Sequence, residues 1–353
     1  MTLRTNQVTI DYRAVTKNAA AVSRFAGKRI IAVVKNNAYN FGIVKAVSAL
    51  MDGGADHFAV TLAEEAAEIK HARRGAYVLQ LNPASESEIR AARSRDIALS
   101  VTGLPWLETH KKSLRGIDLH IKINVGMNRY GLRGAREARR ALELCAEYGL
   151  SPVGLHTHFP LAEEEDLTGH DRQIDEFAAV YRELSALREF SYIHAENTAT
   201  LLRRDPRLSF CNYGRPGILL YGYVPPPAEP PEWLAPTLFA STRVVDLHTV
   251  LEGEHLGYGT SFSAPRELKI AVLPIGYGNG LLRARKAMPV YIDGRPYPIA
   301  GGISMSHTYI ETDDSVKIGD EVEIYGRNAR PDRLAAVGLA ANSEQTTALH
   351  TGA

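Results

Sequence analysis

The sequence predicts an α/β protein, an N-terminal parallel (β/α)8 barrel followed by a C-terminal all-β domain, and three observations carry that expectation. Eight short β-rich runs alternate with helix-period segments from residue 29 to about residue 221. The proline-rich run Val224-Pro225-Pro226-Pro227-Ala228-Glu229-Pro230-Pro231 then breaks the pattern. Beyond it the chain reads as strands without long helices, and 353 residues suit one barrel-sized domain plus a smaller one.

The candidate barrel strands are Ile30 to Val34, His57 to Thr61, Ala76 to Leu81, Ile97 to Val101, Leu119 to Asn124, Val153 to His158, Tyr192 to Ala195 and Gly217 to Tyr221. Between them lie segments such as Leu62-Ala-Glu-Glu-Ala-Ala-Glu-Ile-Lys-His, where apolar residues recur at helical spacing among charges. Eight such units imply a closed barrel. A doubly wound open sheet is the alternative, but no Gly-x-Gly-x-x-Gly follows the first strand. The proline run cannot continue a helix or a central strand and reads as a semi-rigid spacer. The expected division is therefore residues 1–223 for the barrel, 224–232 for a linker and 233–353 for the β domain. In that last part the candidate strands are Arg243 to Val250, Lys269 to Ile275, Pro289 to Ile292, Tyr309 to Thr312 and Glu321 to Tyr325. Asp293-Gly294 signals a hairpin, because a type I′ turn needs positive φ at both central positions.

A net charge of +1 gives no electrostatic case for nucleic acid or an anionic membrane surface as a partner. Met1-Thr2-Leu3-Arg4-Thr5-Asn6 has no apolar signal core and no apolar run is long enough to span a bilayer, so a cytoplasmic location is expected. Cys145 and Cys211 build neither a disulfide framework nor a metal cluster, and no metal is expected.

The most informative stretch is Ile30-Ile31-Ala32-Val33-Val34-Lys35-Asn36-Asn37-Ala38-Tyr39-Asn40-Phe41-Gly42, a buried-type strand ending in a lysine and turn-forming residues. A partly desolvated lysine there is a candidate Schiff-base amine. Other strand ends bring Lys122 and then Gly126 to Gly131, His158, Asn197-Thr198, and Arg215-Pro216-Gly217-Ile218 to the rim where such barrels keep their chemistry. One rim would then carry amine, imidazole, guanidinium and hydroxyl groups, a set suited to a phosphorylated, carboxylate-bearing ligand.

These motifs resemble, in order, those of the alanine racemases, fold-type III pyridoxal 5′-phosphate enzymes on a TIM-type barrel. The lysine segment is similar to the family's Ala-Val-Val-Lys-Ala-Asx-Ala-Tyr-Gly-His-Gly. Gly126 to Gly131 resembles Gly-Met-x-Arg-x-Gly, Thr157-His158-Phe159 matches Thr-His-Phe, and Glu196-Asn197-Thr198 resembles Ala-Asn-Ser. Arg215 to Gly222 matches Arg-Pro-Gly-Ile-x-Leu-Tyr-Gly, and Gly257-Tyr258-Gly259 and Gly276-Tyr277-Gly278-Asn279-Gly280 resemble the family's two C-terminal tyrosine motifs. The resemblance implies that Lys35 carries the cofactor and serves as one catalytic base, with Tyr258, reaching in from a partner subunit of a homodimer with shared sites, as the other. It implies His158 as the support of Tyr258, Arg215 at the pyridine nitrogen, and Arg129 on the substrate carboxylate, buttressed by a carbamylated Lys122. It further implies cofactor contacts from Tyr39, Asn197, Thr198, Gly217, Ile218 and Ser343, and substrate contacts from Met305 and Tyr277.

The sequence also departs from the family. Met305-Ser306-His307 stands where the family has Met-Asp-Gln, Asn40-Phe41-Gly42 where it has Gly-His-Gly, and Asn342-Ser343-Glu344 where a phosphate-binding tyrosine precedes a Glu. The expected activity is racemisation of alanine for D-alanine supply to peptidoglycan. The alternatives are a racemase for serine or a broader range of amino acids, motivated by Ser306 and His307, and a non-catalytic pyridoxal-phosphate-binding protein, against which the second domain and its Tyr258 argue.

Overall fold

A computed structural model describes residues 6–351; Met1 to Thr5 of the N-terminus read above lie outside it. The described chain falls into two compact units. One comprises Val15–Leu220 with Pro227–Leu234, and the other the described parts of Met1–Ala14, Tyr221–Pro226 and Ala235–Ala353.

The larger unit is a closed parallel barrel. Its eight strands follow β1 (Gln7–Ile10), which belongs to the other unit, and are β2 (Arg29–Val33), β3 (His57–Val60), β4 (Tyr77–Gln80), β5 (Ala98–Val101), β6 (Asp118–Lys122), β7 (Ser151–His156), β8 (Tyr192–His194) and β9 (Tyr213–Gly214). In-register pairs such as Ile31 with His57 and His57 with Tyr77 run around the ring, and Arg29 with Tyr213 closes it. All four residues of β3 and of β5 are buried, as strands covered on both faces must be. Helices such as Ile43–Asp52 and Gly134–Tyr148 bury Val47, Leu50, Leu142 and Leu144.

The eighth strand differs from the expectation. It is Tyr213–Gly214, while Ile218–Tyr221, read above as strand, is a turn of 3-10 helix. Pro216 has no amide hydrogen to give to a ladder, and only its carbonyl is used, accepting from the Val33 amide at 3.0 Å.

The smaller unit carries two antiparallel sheets, built from β1 and β10 (Leu238–Arg243), β11 (Asp246–Val250), β12 (Leu268–Leu273), β13 (Val290–Ile292), β14 (Arg295–Tyr297), β15 (Ile299–Ala300), β16 (Thr308–Thr312) and β17 (Glu321–Tyr325). One sheet has the order β1-β10-β17-β13-β14 and the other β11-β12-β16-β15. The single run Arg243 to Val250 expected from sequence is two strands that join different sheets. The proline run is likewise no isolated spacer: Pro227–Leu234 groups with the barrel and Tyr221–Pro226 with the β unit. Asp293 (φ +48°) and Gly294 (φ +78°) join β13 to β14 as the hairpin signal requires. Since Gly294 has open space around it but a left-handed backbone, Gly294→Ala should lower unfolding stability by about 1–2 kcal/mol and Gly294→Asn by less, read as shifts in denaturation midpoint.

Candidate active site

Directly after β2 the backbone enters a left-handed turn, with φ between +52° and +70° at Asn36, Asn37, Ala38, Tyr39 and Asn40. Such a turn costs roughly 1–2 kcal/mol per residue for side chains other than Gly and Asn. Local hydrogen bonds offset it. The Ile43 amide donates to Asn37 Oδ1 at 2.7 Å and the Gly42 amide to the Asn37 carbonyl at 3.1 Å. Glu65 holds the turn from outside, accepting from the Asn37 amide at 3.1 Å while also capping its own helix through the Thr61 and Leu62 amides. The turn leaves Lys35 half-buried and folds Tyr39 into the interior.

The Tyr39 hydroxyl lies so close to Gly217 that a β-carbon there would sit 2.3 Å from it. Thr198 Oγ1 accepts from the Gly217 amide at 3.3 Å. Asn197 starts the short helix Thr198–Arg203, accepting from the Thr200 amide at 3.0 Å and donating to the Phe159 carbonyl at 3.0 Å. Tyr39, Thr198 and Gly217 thus form one cup, with Ile218 next in the chain.

Arg215 is buried, and the donors on its two Nη atoms face neutral acceptors. Nη1 meets His194 Nδ1 at 2.7 Å and the His194 carbonyl at 3.2 Å, while Nη2 donates to the Thr157 carbonyl and faces His158 Nδ1 at 3.4 Å. Burial brings its pKa down to about 10, which leaves it charged at neutral pH. Burial also lowers Lys35, with Arg129 and Arg215 adding to the effect against the opposing charge of Glu65. Lys122 falls to about 7, by burial first and then by Arg215 and Arg129. His158 is driven well below its usual range by burial and then by Arg215, Lys122, Arg129 and Lys35. Lys122 and Arg129 both rest on the Tyr130 ring, 4.2 and 5.0 Å from its centre.

In the β unit, Tyr258 is 88% exposed, between Gly257 (φ +80°) and Gly259 (φ +69°). Tyr277 and Met305 are brought together through their backbones: the Gly278 amide donates to the Met305 carbonyl at 2.8 Å, and a β-carbon at Gly276 would strike the Ser304 and Met305 carbonyls. Ser306 and His307 are exposed beside them, and Ser343 lies in the helix Asn342–Ala348, half-buried.

Residues 10–225 match the family model for the alanine racemase N-terminal domain, and residues 238–351 the model for its C-terminal domain. The chain belongs to the alanine racemase family. Alanine racemase 2 of Staphylococcus aureus is 30% identical over 349 residues, 97% of this chain and 95% of the relative. Among solved structures, the biosynthetic alanine racemase of Pseudomonas aeruginosa superposes with a TM-score of 0.90 at 28% identity, covering 99% of this chain and 98% of that one. That of Bacillus anthracis, with bound L-Ala-P, superposes at 0.85 and 28% identity, covering 99% and 94%. The alanine racemase motifs quoted from the sequence account for the turn, the cup and Arg215. They did not reveal Glu65, His194, His120 or Tyr77, which sit behind these residues. A signal was present: His120 and Lys122, and Tyr192 and His194, occupy alternate positions on β6 and β8, and His156 at the end of β7 is followed two residues on by His158.

Lys122 sets a pH dependence. Its folded pKa is lower than its unfolded one, so the unfolded chain binds more protons between about pH 7 and 10.5 and stability rises with pH across that window. Lys122→Met in carbon-dioxide-free buffer should remove this rise, so the difference in denaturation midpoint between variant and parent should shrink or reverse from pH 7 to pH 10. An unchanged difference would show that Lys122 stays charged in the folded protein.

Proposed function

We propose that the chain is a pyridoxal 5′-phosphate-dependent racemase interconverting L- and D-alanine by a two-base mechanism, supplying D-alanine for peptidoglycan. The observation that carries it is the cup of Tyr39, Thr198 and Gly217, in which the missing β-carbon at Gly217 admits the Tyr39 hydroxyl, at the foot of the turn that holds Lys35. The residues fit the cofactor. Two hydroxyls and the Gly217 and Ile218 amides suit its phosphate, Asn197 holds the cup's edge, Lys35 offers an amine of lowered pKa to its aldehyde, and Ser343 is the remaining hydroxyl in this reading.

When bound, the cofactor supplies an electron sink that acidifies the α-proton of an attached amino acid. Lys35 Nζ, eased toward its neutral form by burial and by Arg129 and Arg215, holds or returns that proton on one face. Tyr258 of a second copy does so on the other face at its phenol oxygen. A phenol ordinarily releases its proton only near pH 10, so it needs a biasing partner, and His158, kept neutral by burial and the surrounding cations, fills that role. Arg215 can only donate, so beside the ring nitrogen of the cofactor it would offer that nitrogen a hydrogen bond without giving it a proton, which would restrain charge delocalisation and side reactions. Arg129, positioned with Lys122 around Tyr130, takes the substrate carboxylate together with the Met305 backbone; carbamylation of Lys122 would give Arg129 an anionic buttress. Tyr277 and Tyr258 limit side-chain size.

Two measurements test this reading. Borohydride should fix the cofactor to the wild-type chain but not to Lys35→Ala, and mixing the inactive Lys35→Ala and Tyr258→Phe chains should restore part of the activity, since a mixed dimer carries one intact site. A fully active monomer in sedimentation would contradict it.

A second reading, a wider range of small amino acids, is favoured by the exposed Ser306 and His307 where the family has an acid and an amide. Pockets of this kind discriminate by only about 1–3 kcal/mol per methylene, so serine should be a measurable second substrate and Ser306→Asp should raise the alanine-to-serine ratio of kcat/KM. Turnover of a long cationic amino acid without any of alanine would replace the alanine reading.

A further inference from the structure

Beneath Arg215 the barrel interior holds an ordered column of imidazoles and phenols. His194 Nε2 lies 2.8 Å from His120 Nδ1, His120 Nε2 lies 2.9 Å from the Tyr77 hydroxyl, and Tyr77 reaches Asp118 Oδ2 at 3.4 Å. His156 stacks on His194 at 4.8 Å and 10° and is itself held by Ser100 at 3.1 Å. Gly154 makes room for the column, since a β-carbon there would lie 2.2 Å from His120 Nδ1.

The donor directions follow from chemistry. Arg215 has only hydrogens to offer, so His194 Nδ1 must present its lone pair and carry its proton on Nε2. That proton forces the lone pair onto His120 Nδ1 and its proton onto Nε2. The Tyr77 oxygen accepts this proton and turns its own outward, where the Asp118 carboxylate is the charged acceptor, with the Tyr192 hydroxyl alongside. The order requires both imidazoles neutral, and burial keeps them so: His120 is lowered to about 3 and His194 well below its usual range.

We propose that Tyr77 and Asp118, on the floor of the barrel at the ends of β4 and β6 remote from Lys35, are positioning residues for Arg215, acting through the one-way chain Arg215 to His194 to His120 to Tyr77 to Asp118. Reversing the His194–His120 or the His120–Tyr77 link would set a histidine N–H against the guanidinium and turn Arg215 away. The proposal rests on the reading of Arg215 as the partner of the cofactor's ring nitrogen.

The test is nitrogen NMR of histidine-labelled holoenzyme, combined with the bound cofactor's absorbance band and steady-state kinetics. Wild type should show His194 and His120 neutral and protonated on Nε2. Tyr77→Phe keeps the ring that stacks on Tyr192 at 4.8 Å and so preserves packing. It should still shift the His194 Nδ1 signal, two hydrogen bonds away, move the absorbance band, and lower kcat about tenfold with KM within about twofold, the scale of losing an outer-shell partner. Asp118→Ala should act in the same direction, and Asp118→Asn, which keeps an acceptor oxygen, should behave like wild type. A proton on Nδ1 of either histidine in the wild type would overturn the chain, as would a Tyr77→Phe variant with an unmoved His194 signal and unchanged kcat. Correct histidine signals in a protein with no cofactor band would overturn the site reading, and with it the positioning role, while leaving the chain itself standing.

Discussion

A guanidinium sealed inside a barrel keeps its charge, because arginine does not give up its proton at ordinary pH, and Arg215 imposes that condition on everything around it. Parallel barrels commonly fill their interiors with layers of branched apolar side chains. This one cannot do so along the path below Arg215. An unmet donor on a buried charged group costs about 1–3 kcal/mol or more, and the Thr157 and His194 carbonyls with the His194 ring remove that cost. Once His194 is committed as an acceptor its other nitrogen is a buried donor, and the need for acceptors passes down to His120 and Tyr77. A polar column is the consequence of one buried charge, and it ends only where the barrel floor reaches water and Asp118.

The left-handed turn at Lys35 answers a different constraint. A right-handed turn after β2 would start an ordinary helix and carry successive side chains away around its axis. Reversing the hand over Asn36 to Asn40 folds Tyr39 back under the strand end, where its hydroxyl meets Gly217. Asn supplies three of the five left-handed residues and tolerates that conformation better than most. Ala38 and Tyr39 do not, and Glu65 and Asn37 supply the hydrogen bonds that hold them. The strain sits where the proposed chemistry sits, the usual location for backbone that the surroundings over-determine.

Much of this was legible in the sequence. Seven of the expected barrel strands overlap observed ones because β-branched runs bounded by helical periodicity encode buried parallel strands. The eighth was misplaced because Gly217 to Tyr221 is apolar enough to read as strand, while the true strand, Tyr213–Gly214, is too short to have a period. Nothing local marks Gln7–Ile10 as a strand of the β unit, since its partner β10 lies more than 200 residues away. For the site, motif order singles out Lys35, Tyr39, Arg129, His158, Thr198, Arg215 and Gly217, but motifs of this kind single out only the groups proposed to meet a ligand. His120 and Tyr77 bond only to other side chains, and Glu65 to the backbone amides of Asn37, Thr61 and Leu62 and the Thr61 hydroxyl, so all three become visible only once the chain is wrapped into a barrel.

The departures from the family divide in a way that follows from this architecture. Ser306, His307 and Ser343 lie at exposed or half-buried positions on loops and a short terminal helix, where exchanging a carboxylate or a phenol for a smaller group leaves no buried partner stranded. In the barrel, a change carries its compensation with it. Glu196, where the family has alanine, is buried and is answered by Lys28 at 2.7 Å, while its carbonyl still accepts from the Arg215 amide at 2.7 Å. An uncompensated carboxylate at that depth would cost several kcal/mol, so the acid and the lysine are tolerable only together. The barrel groups proposed to set the reaction type therefore belong to a network that resists single changes. Those proposed to set the choice of amino acid lie where single changes are cheap, and substrate range can drift on this scaffold while the reaction stays the same.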